Sequence, residues 1–217
     1  VTVRRPALRS DADDPFRARP VLFSVGHGTI GADDLVALLH DAGIGLVIDV
    51  RSFPGSRRHP HFAREALEGS LPAGGIGYRW DRRLGGFRKP RPDSPNVGLR
   101  HPSFRGYADH MESPEFAAAL AAVLDDVAAG PAAVMCSESL WWRCHRRLLA
   151  DAATLLGGAE VLHLGHDGRL SPHRLTDGVR LAGPDRIVYD AGQERLGDAS
   201  EWADGSPGRG DAPEPPG

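Results

Sequence analysis

Between residues 21 and 164 this chain alternates short, unbroken apolar runs with segments whose apolar residues recur every three or four positions. Val21-Leu22-Phe23-Ser24-Val25 has the length of a strand and breaks at Gly26-His27-Gly28. Residues 29–43 start with capping-type residues, put Leu35, Leu38 and Leu39 on one face and end at Gly43, which predicts a helix. Leu46-Val47-Ile48-Asp49-Val50 reads as a strand covered on both faces, closed by Arg51 and Pro54. Residues 114–129 carry Phe116, Leu120, Val123, Leu124 and Val127 at helical spacing, with Ser113 as N-cap and Pro114 at the first helical position. A third strand over 132–136, a helix over 143–156 and a fourth strand over 160–164 follow. This order predicts an α/β fold: a single domain with a mostly parallel sheet flanked by helices on both faces. Its ligand crevice is expected at the carboxyl ends of the strands.

The 217 residues suit one domain with tails. Residues 1–19 are charged and nearly free of large apolar groups, and residues 183–217 hold twelve Gly or Pro, so neither end buries enough surface to offset its ordering entropy. The expected division is a flexible N-terminal tail over 1–19, a core over 20–182 and an acidic Gly/Pro-rich tail over 183–217. Hydrophobic residues at 41% and charged residues at 25% exclude wholesale disorder and fibrous repeats. No stretch approaches the roughly 18 apolar residues of a membrane span, and no signal-like run opens the chain, so a cytoplasmic address without a membrane partner is expected. Two cysteines are too few for a disulfide scaffold and read as reduced thiols.

The net charge of -3 hides a split. Residues 51–110 carry twelve basic against five acidic side chains, a net of +7, whereas residues 183–217 carry three against eight, a net of -5. Arg outnumbers Lys 25 to 1, a general bias of the sequence, so position must carry any argument for anion binding.

Position is informative because the polar residues cluster where the predicted strands end. His27 sits between two glycines that allow close approach of a ligand. Asp49 and Arg51, two apart on a strand, point to the same side, and a buried Asp49 requires a partner. The turn Ser52-Phe53-Pro54-Gly55-Ser56-Arg57-Arg58-His59-Pro60-His61-Phe62 is rich in groups that suit phosphate, since each charge-assisted bond contributes roughly 1.5–3 kcal/mol. The densest segment, 134–147, holds Cys136, Glu138, Arg143, Cys144, His145 and Arg146 around the start of a helix. A thiol there can ionise readily, and Glu138 and His145 can exchange protons with a substrate. Cysteine at a buried strand end also serves simply as a small hydrophobe, and Trp141-Trp142 simply as a lid over the core. The spacing of Cys136, Cys144 and His145 matches no usual zinc pattern, so no metal is assigned. Phe87, Phe104 and Tyr107 lie among the bases of residues 84–106, an interleaving found where proteins grip single-stranded nucleic acid, or where aromatics anchor a solvated loop.

Ser24-Val25-Gly26-His27-Gly28-Thr29, Ile48-Asp49-Val50-Arg51 with Pro54, Ser56 and Pro60-His61-Phe62, then Tyr78, Leu84-Gly85-Gly86, Phe104, Tyr107-Ala108, Cys136-Ser137-Glu138 and Cys144-His145-Arg146 form an ordered set. In that order the chain resembles the domain-of-unknown-function 488 family. The resemblance implies an α/β domain with motif residues at these positions and supplies no reaction or cofactor.

The expected function is an enzyme acting on a phosphate-bearing substrate, nucleotide or nucleic acid. Cys136, Glu138, Cys144, His145, His27 and Asp49 are the candidate catalytic groups. Arg51, Ser56, Arg57, His61, Tyr78 and Arg146 are the candidate substrate-binding groups, all expected to surround one hollow. A nucleic-acid-binding module without chemistry and a thiol-transfer or redox protein are the alternatives.

Overall fold

The structure is a computed structural model describing residues 19–55 and 59–190. Its elements are β1 (Val21–Gly26), α1 (Ala32–Asp41), β2 (Leu46–Asp49), α2 (Arg64–Ala73), β3 (Gly77–Trp80), α3 (Pro102–Met111), α4 (Pro114–Ala129), β4 (Ala132–Cys136), α5 (Arg146–Leu155), β5 (Glu160–Leu164), β6 (Leu170–Pro172), β7 (Val179–Leu181) and β8 (Ile187–Tyr189). Short 3-10 turns lie at Pro60–Phe62, Arg82–Leu84 and Trp141–Arg143.

Six strands form one sheet in the order β3-β2-β4-β1-β5-β6, parallel except for β6, and β7 and β8 pair separately. The α/β expectation therefore holds, and the four apolar runs are its four central strands. Alternate residues serve opposite faces, as the two-residue period of a strand requires. Leu22, Ile48, Val50, Ala132, Val134 and Cys136 pack with α3, α4 and α5, while Val25, Val47, Ala133 and Met135 pack with α1 and α2. α4 starts as its sequence indicates, with the Ser113 hydroxyl accepting from Phe116 N and Pro114 at the first position. α1 is capped at Gly31 rather than Thr29, because the Asp34 carboxylate reaches back to the Gly31 N–H.

Two expectations change. The 84–106 loop ends at Pro102, where α3 begins behind a His101 ring that accepts from Ser103 N. The core extends beyond residue 182: Ile187, Val188 and Tyr189 of β8 are buried, and Tyr189 donates to Asp151 at 2.9 Å. An apolar Ile-Val-Tyr triplet outweighs the Gly/Pro and acidic character around it. Residues 1–18 and 191–217 lie outside the described residues, so the expected tails are described only at their inner edges.

The topology locates the site. From β1 the chain leaves through α1 on one face, and from the neighbouring β4 it leaves through α5 on the other. The strand order thus switches between β1 and β4, and their loops diverge there; such a switch point is where open α/β sheets hold ligands. The two strand ends stay paired past the sheet, His27 N donating to Cys136 O and Gly28 N to Ser137 O, both at 3.0 Å.

Candidate functional site

A crevice of about 550 Å³ opens at this switch point. Its walls are the β1 turn (His27, Gly28, Thr29), the segment after β2 (Arg51, Phe53, Gly55, His59) and the turn after β4 (Ser137, Glu138, Ser139). Gly28 has φ of 53°, and a side chain there would also collide with Ser139 Oγ and His166, so the turn needs glycine. His166 of the β5 end donates from Nε2 to Gly26 O at 2.6 Å and holds that turn from the other side.

Beneath the crevice lies a buried polar network. Asp49 is fully buried and accepts from Arg51 N, Nε and Nη2 at 3.0, 2.9 and 2.5 Å, and from Tyr78 Oη at 2.7 Å. Arg51 Nη1 donates to Phe62 O at 2.9 Å and to His27 Nε2 at 3.2 Å. Of the five guanidinium hydrogens, four are therefore spent on Asp49, Phe62 O and His27, and the Tyr78 hydroxyl lies beside the same guanidinium. His27 is held from both sides: its Nδ1–H donates to Gly28 O at 3.0 Å, and its ring stacks on Phe62 at 4.0 Å. Burial, and then the Arg51 charge, lower its pKa to about 4, so the ring is neutral at pH 7. Its remaining lone pair faces Arg51, so His27 positions the guanidinium and is not a base. Asp49 likewise has no lone pair turned to the crevice and anchors Arg51. Tyr78 contacts Asp49, and burial raises its pKa.

Cys136, Cys144 and His145 are not among the crevice-lining residues. Asp49 pairs in register with Met135, so Cys136, one residue on, turns to the α3–α5 face while Asp49 and Arg51 serve the α1–α2 face. The single hollow expected from sequence is thus two clusters divided by the sheet. Both thiols are buried and unbridged. They lie close enough to share a proton: the hydrogen bond from Cys136 lowers the Cys144 thiol to about 6, with the Arg146 cation adding to this, and the same bond pushes Cys136 up to about 12.

Arg146, expected at the anion, is only 1% exposed. It donates to Ser24 Oγ at 3.1 Å and to Glu138 O, tying β1 to the β4 turn. Arg143, three residues earlier, is exposed in the 3-10 turn, so the two do not share a face. His61 packs on Phe62 at 4.3 Å and does not line the crevice. Ser56 and Arg57 lie outside the described residues. Glu138 lines the crevice, with Oε1 accepting from Leu140 N at 3.2 Å, and is the only carboxylate among the described lining residues.

Sequence reasoning missed several residues. Thr29 and Ser137, present in the quoted motifs but not taken as candidate site residues, line the crevice together with Ser139, and a reading of whole turns would have included all three. It also missed a relay joining β5 to α5: His163 Nε2 to His173 Nδ1 at 3.0 Å, His173 Nε2 to Asp151 at 2.9 Å, with Trp141 stacked on His163 at 4.0 Å. Trp141 thus closes the core. Of the interleaved aromatics, Tyr107 is fully buried and Phe104 packs on the core, leaving Phe87 exposed.

No helix of the described residues is long and apolar enough to cross a membrane. Neither the curated proteins nor the solved structures contain a match. The sequence profile of Domain of unknown function DUF488 matches residues 31–153. That span includes Asp49, Arg51, Tyr78, Glu138 and the Cys136–Cys144–His145 cluster and starts after His27. Since it covers more than half of the chain, the protein belongs to the DUF488 family.

Proposed function

We propose that this protein is an enzyme that binds a phosphate-bearing small molecule, of nucleotide class, in the switch-point crevice. The observation that carries the reading is Arg51: a guanidinium held in a fixed orientation by Asp49, His27 and Phe62 O, in a lining residue of a cavity of ligand size. Because Asp49 neutralises much of its charge, Arg51 contributes direction more than field. The hydroxyls of Thr29, Ser137 and Ser139 add donors for further oxygens. Glu138 is assigned the proton transfer as the only carboxylate among the described lining residues; of the two lining imidazoles, His27 is engaged with Arg51 and His59 is the alternative.

Nucleoside mono- and diphosphates should raise the melting temperature of the full chain, because a ligand that binds only the folded state stabilises it by mass action. With a turned-over compound, Glu138→Gln should keep that stabilisation while lowering turnover by about 10²–10⁴-fold. A full panel of phosphorylated compounds at millimolar concentration without any shift would refute the reading.

A second reading has its own observation. Phe53 and Phe87 are 71% and 85% exposed, both line a shallow depression with Arg82 and Arg88, and Arg82 lies 5.9 Å over the Phe53 ring. Exposed aromatics beside guanidinium groups suit single-stranded nucleic acid. In that case Phe87→Ala should weaken oligonucleotide binding, and the affinity should fall steeply with salt.

A further inference from the structure

On the α3–α5 side of the sheet, Cys136 at the end of β4, Cys144 before α5 and the adjoining His145 converge. One sulfur from each cysteine and one ring nitrogen lie within 4.8 Å of one another. None of the three serves the crevice, so a role for them stands apart from the phosphate reading.

The imidazole is oriented for a ligand. His145 Nε2 lies 3.1 Å from Val50 O. A carbonyl only accepts, so Nε2 carries the hydrogen and Nδ1 of the neutral ring presents a lone pair, 3.5 Å from Cys144 Sγ. Tying the far nitrogen to a backbone carbonyl is how proteins fix the tautomer of metal-ligating histidines. Gly86 adjoins the same nitrogen: a Cβ there would approach Nδ1 to 3.0 Å, so the missing side chain keeps the space around it open.

The distances agree with coordination. Bonds of about 2.3 Å to sulfur and 2.0–2.1 Å to nitrogen at tetrahedral angles set S···N near 3.6 Å and S···S near 3.8 Å. The 3.5 Å between Cys144 Sγ and Nδ1 already fits. Since every pair lies within 4.8 Å, the others need contract by about 1.2 Å or less.

The charge count bears on which ion fits, since a Cys144 thiolate already answers the Arg146 charge in the metal-free protein. Arg146 is buried beside Cys144, and no carboxylate of the described residues forms an ion pair with it. A buried guanidinium needs a counter-charge. Two thiolates around a monovalent ion leave one negative charge for Arg146; around a divalent ion they leave none and require an added anion at a fourth position.

We propose that Cys136 Sγ, Cys144 Sγ and His145 Nδ1 form a binding site for a thiophilic metal ion, Cu⁺ or Zn²⁺, with Arg146 as the neighbouring cation. Two thiolates and an imidazole select such ions over Mg²⁺ or Ca²⁺. The charge count favours Cu⁺.

The test uses the full chain, stripped with a chelator, reduced and held anaerobic. Cu⁺ alone and Zn²⁺ alone are titrated in competition with a chromophoric chelator, and thiol alkylation is followed by mass spectrometry. The expected result is one ion per chain with both thiols shielded, their labelling slowed at least about tenfold. Cys136→Ser and His145→Gln should each lower the affinity by about 100-fold. The shielding is read on the unaltered chain and so does not depend on how the variants fold. No uptake of either ion at micromolar concentration overturns the proposal. So does uptake that leaves both thiols labelling at the metal-free rate. A crevice that ignores nucleotides would leave it untouched.

Discussion

Replacing Asp49 by Asn tests whether Arg51 is held by charge or merely by shape. The carboxylate accepts four hydrogen bonds: three from Arg51, one of them at its backbone, and one from Tyr78. Asparagine keeps one acceptor oxygen but places an NH₂ where the second oxygen stood, facing donors. Arg51, only 6% exposed, then keeps its charge without a counter-ion. Removing one partner of a buried pair costs about 3–5 kcal/mol, a large part of the stability of a domain this size. The double variant Asp49→Leu with Arg51→Met removes both charges. It leaves Tyr78 Oη, Phe62 O and His27 Nε2 short of partners, at about 1–3 kcal/mol each if they stay dry and less where water reaches them. It should therefore cost less than the sum of Asp49→Leu and Arg51→Met made singly. Urea unfolding with linear extrapolation, run on Asp49→Asn and on the three members of this cycle at one pH, measures this. A loss below about 1 kcal/mol for Asp49→Asn, or strict additivity of the pair, would refute the reasoning.

Two further outcomes follow from the same geometry. His27 has a folded pKa of about 4 against the ordinary 6.5, so between those values the unfolded chain binds more protons; the stability from the neutral ring is complete above pH 6.5 and is lost as pH falls toward 4, about 3 kcal/mol in all. Unfolding of His27→Gln at pH 7 and pH 4.5 should show a correspondingly smaller acid loss than the parent, and an identical loss would remove this account. Arg146→Lys should lower stability by about 1–3 kcal/mol, because one ammonium cannot span Ser24 Oγ and Glu138 O as the fork does. A melting temperature equal to the parent's would contradict that role.

The central strands were readable because β1, β2, β4 and β5 are covered on both faces and so are written as unbroken apolar runs. α4 carried its cap and its stripe together. β3 is four residues of partly exposed edge, Gly77–Trp80, and α2 contains Gly69 and Pro72, so neither has a local signature strong enough to stand out. The placement of β4 between β2 and β1 depends on pairings between distant residues that no window of sequence encodes. The site was half legible for the same reason. His27, Arg51 and Glu138 reach the crevice because strand ends do in such sheets. Which face Cys136 takes depends on its register against Asp49, and the burial of Arg146 depends on Ser24, more than a hundred residues away.

Val50 stands between Asp49 and Arg51, and its carbonyl is the anchor of the His145 ring. Three consecutive residues therefore furnish two addresses, odd numbers to one side and the even one to the other. A single-residue insertion or deletion ahead of them would not erode one centre gradually; it would swap the side-chain destinations of all three, stranding a carboxylate among the aliphatic neighbours of α3–α5 and withdrawing the guanidinium from the crevice in one event, while the carbonyl that tethers the imidazole would pass to whichever residue took that place. Point substitutions can vary these positions one by one, but their spacing is common property of both centres.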